Sequence, residues 1–183
     1  MAESLEAAYV ERFGRRRWQE YLTLLGGFWP AIRRELDRLR LDYTQVDLYQ
    51  DGLPVCGRER QIVEKAAAMG SENHKLLLEL MGRGATLMGT EGPDLLLAEY
   101  RHVQEALARE AGGAEDGEQA RRNADSLARR DAWIGRRIGE TLRPGRTGML
   151  FLGMMHNVET HLPTDLVSIR VTPAILKAAG TSP

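Results

Sequence analysis

Apolar residues recur at helical spacing through the first forty positions. Leu5, Tyr9, Phe13, Trp18, Tyr21 and Leu25 form one stripe, and Phe28, Ile32, Leu36 and Leu39 form a second. The two stripes predict helices over 3–24 and 28–40, separated by Gly26-Gly27. The period then shortens. Residues 43–49, Tyr-Thr-Gln-Val-Asp-Leu-Tyr, are rich in β-branched and aromatic side chains, with Val46 and Leu48 alternating, and predict a first strand. Gln50-Asp51-Gly52-Leu53-Pro54 ends it with turn chemistry.

Helical spacing returns at 58–69, stops at Gly70, and resumes behind Ser71, a capping residue, with Leu76, Leu77, Leu80 and Met81. Residues 85–88 are a short extended passage. Gly89-Thr90-Glu91-Gly92-Pro93 is a second polar turn, and Pro93 suits the first position of a helix running to about 110. The stretch 111–117 is a loop, predicted to be the most mobile part of the chain. A long helix covers about 118–142, ahead of Pro144-Gly145. The apolar run 148–153 predicts a strand buried on both faces. A polar loop follows from His156 to Pro163, then a last strand at 166–171 and a helical turn or two at 173–179.

Strands separated by helices predict a helix-rich α/β layered sandwich with a small, mostly parallel sheet, built as a single domain over 1–183. Three or four strands make a thin sheet. That implies either strands from a second copy, hence a homo-oligomer, or a first N-terminal strand that this chain lacks.

Composition narrows the function classes. The formal net charge of −1 gives no global basic field, so nucleic acid is not expected as a partner. The local runs Arg15-Arg16-Arg17 and Arg33-Arg34 have Glu11, Glu20, Glu35 and Asp37 close by and read as solvated helix faces. Three of the 25 basic residues are lysines, Lys65, Lys75 and Lys177. A single cysteine, Cys56, precludes an internal disulfide, and no leader-like or membrane-spanning apolar run appears. The expected location is cytoplasmic, with no membrane partner.

Open parallel sheets bind ligands at the carboxyl ends of their strands. Three polar loops follow predicted strands here. The first carries Tyr49, Gln50 and Asp51, the second Thr90 and Glu91, and the third His156, Asn157, Glu159 and His161. Topology brings all three to one edge. His156, Glu159 and His161 are suitable ligands for a divalent metal ion, with Asp51 or Glu91 completing a shell, although no His-Glu-x-x-His is present. Gly153 permits a close turn that presents His156, whose neutral imidazole also suits general-base work beside Asp51 and Glu91. Each residue has a structural alternative. His156 and His161 can tie down loop backbone, Asp51 is a common turn residue before Gly52, and Glu91 favours the positive end of the helix at Pro93. Cys56 reads as a packed or half-exposed thiol, His74 and His102 as helix residues, and Met154-Met155 as core or lining.

The segment Arg129–Leu162 carries Arg130-Asp131 on a helix with Trp133, Ile134, Ile138 and Leu142, then a Pro-Gly turn, an apolar strand and Gly153-Met154-Met155-His156. This order resembles the carboxyl-terminal signature of the TraB/PrgY and Tiki group and, more loosely, of erythromycin esterase-like proteins. The resemblance implies a metalloprotease-like or hydrolytic site and carries over to Gly153 and His156 alone. Members of that group have an earlier strand with a second histidine motif, whereas here the first histidine, His74, falls in a helical pattern. Leu48–Gly57 and Leu87–Glu91 also resemble a bacterial family of unknown function.

Two expectations follow. One is a metal-dependent hydrolase acting on a small-molecule or peptide ligand through His156, with Glu159, His161, Asp51 or Glu91. The other is a non-catalytic, homo-oligomeric binding or regulatory module. A third, an anion or nucleotide binder using the arginines, has no Walker A or G-x-G-x-x-G motif behind it.

Overall fold

The structure is a computed structural model and describes residues 10–11, 14–109 and 117–171. Residues 111–116 of the predicted loop at 111–117 and the helical turns at 173–179 lie outside those residues, as does the first part of the predicted helix over 3–24. Two compact units are distinguished, residues 1–41 with 169–183, and residues 42–168.

In the first unit, α1 spans Arg15–Arg38 without interruption. The sequence predicted a break at Gly26-Gly27, and the structure corrects it. Glycine weakens a helix by roughly 1 kcal/mol but does not forbid one. Pro30, inside α1, has no N–H to offer the Gly26 carbonyl one turn earlier.

The second unit is a helix-rich α/β layered fold. A 3-10 turn at Tyr43–Gln45 leads into β1, Val46–Gln50. The strand begins later than predicted because the Asp42 carboxylate accepts the Thr44 amide at 3.0 Å and tightens residues 43–45 into that turn. Helices α2, Glu59–Ala68, and α3, Glu72–Gly82, follow, then β2 at Thr86–Met88. Ser71 stands at the start of α3, but its hydroxyl pairs with the His74 ring at 2.7 Å and not with a backbone amide. Helix α4 opens on Pro93 as predicted and runs to Arg109, and α5 covers Gly117–Thr141. Strand β3 is Thr147–Phe151, followed by a 3-10 turn at Val158–His161.

The sheet has the order β2-β1-β3 and is parallel throughout, with Leu48 opposite Leu87 on one side and Met149 on the other. Every residue of the central β1 is buried. The predicted burial of the 148–153 run on both faces is corrected: β3 is an edge strand, half buried at most. Residues 166–171 form no strand, a second correction. That segment lies beyond the turn at 158–161, with Val167 almost fully exposed, and joins neither ladder among the described residues.

Side chains alternate along β1 and divide the core between two layers. Tyr49 faces Ile134 and Ile138 of α5, with Val158, Leu142, Leu150 and Leu162 around them. On the opposite face Gln50 reaches Asn73 of α3, and α2 and α3 pack on each other and against β2. At the amino end of the sheet Arg146 grips Asp47 with two bonds, 2.9 and 2.7 Å, closing β3 onto β1.

One close approach fixes the loop after β3. A Cβ at Gly135 of α5 would lie 2.5 Å from the His161 carbonyl oxygen, and one at Gly139 would lie 2.8 Å from Pro163 Cγ. Only bare backbone on that face lets residues 158–163 lie flat on α5. G135A is therefore expected to cost about 1–3 kcal/mol in urea unfolding, from overpacking. G82A, where a Cβ meets nothing within 4 Å, is expected to be neutral or to stabilise by up to about 1 kcal/mol.

Candidate functional site

The order β2-β1-β3 makes the chain leave β1 towards β2 on one side and return as β3 on the other. The crevice at the carboxyl ends of β1 and β3 is therefore the switch point where open α/β sheets hold ligands. The Asp51 amide extends the ladder by one bond, to the Phe151 carbonyl at 2.9 Å. Beyond that bond the two chains separate, and the polar loops begin.

Arg130 enters this crevice from α5. Its Nε donates to Glu91 Oε2 at 2.6 Å, and its Nη2 donates to Glu91 Oε1 at 2.8 Å and to Asp51 Oδ1 at 2.5 Å. Its Nη1 is paired with Glu99 of α4. Glu91 also accepts the Gly52 amide at 2.6 Å, so it stitches the loop after β1 to the loop after β2. Thr90 does the same beside it, accepting the Gln50 amide at 2.9 Å.

His156 sits between two other carboxylates. Its Nδ1 is 2.5 Å from Asp131 Oδ1, and its Nε2 is 3.2 Å from Asp51 Oδ2. Asp131 uses its second oxygen to accept the Asn157 amide at 2.8 Å, which holds the loop over the ring. The Gly153 amide donates to Asp51 Oδ2 at 3.2 Å.

These contacts set the charges. Interaction with Asp51 raises His156 to about 9; burial opposes it, and Asp131 adds to it. The ring is thus an imidazolium at neutral pH, bonded to Asp131 through Nδ1 and ion-paired with Asp51 through Nε2. Burial pushes Asp51 up, but His156 and the charge of Arg130 outweigh it and hold the carboxyl below the usual range.

Of the residues singled out from the sequence, Asp51, Glu91 and His156 meet at this edge. Glu159 and His161 do not join them. Both are exposed on the 3-10 turn, which is pinned to α5 by the contact at Gly135. The residues that meet at the edge do not make a metal centre as they stand: both Glu91 oxygens are spent on Arg130, and His156 Nδ1 is spent on Asp131. Among the described residues no three His, Cys, Asp or Glu side chains stand together where they would hold a metal. Cys56 is exposed, and so are Met154 and Met155. The expectation that these methionines are core or lining is corrected.

Arg130 and Asp131 were noted only as the Arg-Asp pair of the resemblance and given no role at the site, and Glu99 was not singled out. Arg130 had a signal: it stands four and eight residues before Ile134 and Ile138, so it continues the buried stripe of α5. A charge in an apolar stripe is a buried charge that must be paired.

Compared with known proteins, the chain matches no family model, no curated protein and no solved structure. The site is therefore read from its own geometry.

E91Q leaves the buried Arg130 short of its main counter-ion and is expected to cost about 3–5 kcal/mol. E64Q, at the exposed pair Arg60–Glu64, is expected to cost under about 0.5 kcal/mol. Chemical unfolding of the two variants checks the contrast.

Stability should also follow the two shifted groups. The His156 contribution is complete below its ordinary value of 6.5 and is lost as pH rises through about 9. The Asp51 contribution is complete above its ordinary 3.8 and is lost as pH falls into the acid range. Unfolding free energy is expected to decline between pH 6.5 and 9; a flat profile there would contradict the assignment.

Proposed function

We propose that the switch-point cluster is an acid–base site for hydrolysis of an acyl compound, working without a metal step. The observation that carries this reading is His156, buried at the sheet's carboxyl edge and held charged between Asp131 and Asp51. Asp131 fixes the ring through Nδ1 and leaves Nε2 as the proton-carrying atom on the Asp51 side. In hydrolysis, water adds to the acyl carbon while Nε2–H gives its proton to the leaving oxygen or nitrogen as its bond to that carbon breaks. The ring then takes one proton from the added water, so the imidazolium is restored. Positioned proton transfer of this kind is worth about 10²–10⁴ in rate. The resemblance of Gly153-x-x-His156 to hydrolytic proteins supports the same reading.

A panel of chromogenic esters, amides and lactones tests the proposal. Turnover by the native chain is expected to fall about 10²–10⁴-fold in H156Q, to fall above pH about 9 as the ring loses its proton, and to be indifferent to chelators. No native turnover across the panel, or H156Q as active as the native chain, would overturn it.

A second reading, a binding module that assembles with copies of itself, is favoured by one observation. Met154 and Met155, on the loop that carries His156, are 91% and 79% exposed. Sedimentation of the native chain and of M154S/M155S distinguishes this reading: it expects an assembly that the double variant dissociates.

A further inference from the structure

Three donors from separate parts of the chain converge on the Asp51 carboxylate. Arg130 Nη2 lies 2.5 Å from Oδ1, while the Gly153 amide and His156 Nε2 each lie 3.2 Å from Oδ2. Each of the two cations also has a counter-ion of its own. Arg130 has Glu91, through bonds of 2.6 and 2.8 Å, and His156 has Asp131, at 2.5 Å. Those two carboxylates have side chains 0% and 5% exposed, whereas Asp51 is 21% exposed.

Asp51 is thus shared by both cations, longer in two of its three contacts, and the outermost of the three. Its departure leaves no buried charge alone, because Arg130 keeps Glu91 and His156 keeps Asp131. The carboxylate can leave by side-chain rotation, with the Asp51 amide still bonded to Phe151. Leaving also uncovers His156 Nε2, the atom that the proton-transfer reading needs.

We propose that Arg130, His156 and Gly153 form a subsite for a ligand carboxylate, and that Asp51 is its displaceable resident. The ligand class is a small monocarboxylate. A planar carboxylate reproduces the two-oxygen pattern of Asp51, and a single negative charge reproduces its charge. A dianion would add a negative charge beside Glu91, Asp131 and Glu99, at distances where like charges repel by kcal/mol. The carboxylic acid formed by acyl hydrolysis belongs to this class, so the subsite deepens the acid–base reading. Its test reads binding, so either can fail while the other stands.

The test titrates sodium formate and acetate into the native chain and into D51A, at constant ionic strength with chloride, following binding heat and melting temperature. D51A is expected to melt below the native chain in chloride and to regain part of the loss saturably in formate. Formate is expected to bind D51A at least about tenfold more tightly than the native chain, whose tethered carboxylate competes for the place. Should D51A not fold, D51S leaves the same room and is expected to behave alike. D51N keeps the space filled, so formate should not restore it. Formate without a saturable effect on D51A and D51S, equal recovery in D51N, or phosphate acting as well as formate would each overturn the proposal.

Discussion

Arg130 is the constraint that the carboxyl edge of the sheet is built to satisfy. A guanidinium taken out of water costs several kcal/mol unless its donors are met by acceptors of opposite charge. Helix α5 delivers this one to the sheet because Ile134 and Ile138 on the same face must be buried against Tyr49. Glu91, Asp51 and Glu99 answer it from three different segments. Those segments are thereby fixed relative to α5, and the next residue of the helix, Asp131, fixes the loop after β3 in turn. One buried cation thus ties two loops and α4 to α5, adding to the backbone bonds that already join the loops after β1 and β2.

The same arrangement explains the state of His156. An imidazole at a sheet edge would ordinarily be neutral at physiological pH, available as a base or a ligand. Two carboxylates reverse that preference, since the attraction of Asp51 and Asp131 outweighs the cost of burying the charge. The two ion pairs, Arg130 with Glu91 and His156 with Asp131, lie side by side and are bridged by Asp51. The bridge is where the network meets solvent, and it is therefore where a ligand can enter without leaving a buried charge unpaired.

Much of the fold was legible because its signals are local. The helices at 58–69, 93–110 and 118–142 follow from periodicity and from Gly70 and Pro93, and the structure places them within one or two residues. The convergence of Asp51, Glu91 and His156 was legible from topology, since parallel strands put their following loops at one edge. What failed depended on distant contacts. The apolar run at 148–153 is also the pattern of an edge strand half covered by α5, and only the strand order tells the two apart. Residues 166–171 have strand composition but join neither ladder of the sheet among the described residues. Gly26-Gly27 weakens α1 without ending it. Glu159 and His161 have good ligand chemistry, but their turn is committed to Gly135, a contact 26 residues back along the chain from His161 that no spacing rule shows.

The central claim is that His156 is an imidazolium held between two carboxylates, and the ring's own titration measures it most directly. Nitrogen-15 NMR of the imidazole in the native chain is expected to show both nitrogens protonated at pH 7, with a midpoint at about 9. A single neutral tautomer at pH 7, or a midpoint at the ordinary value near 6.5, would contradict the account.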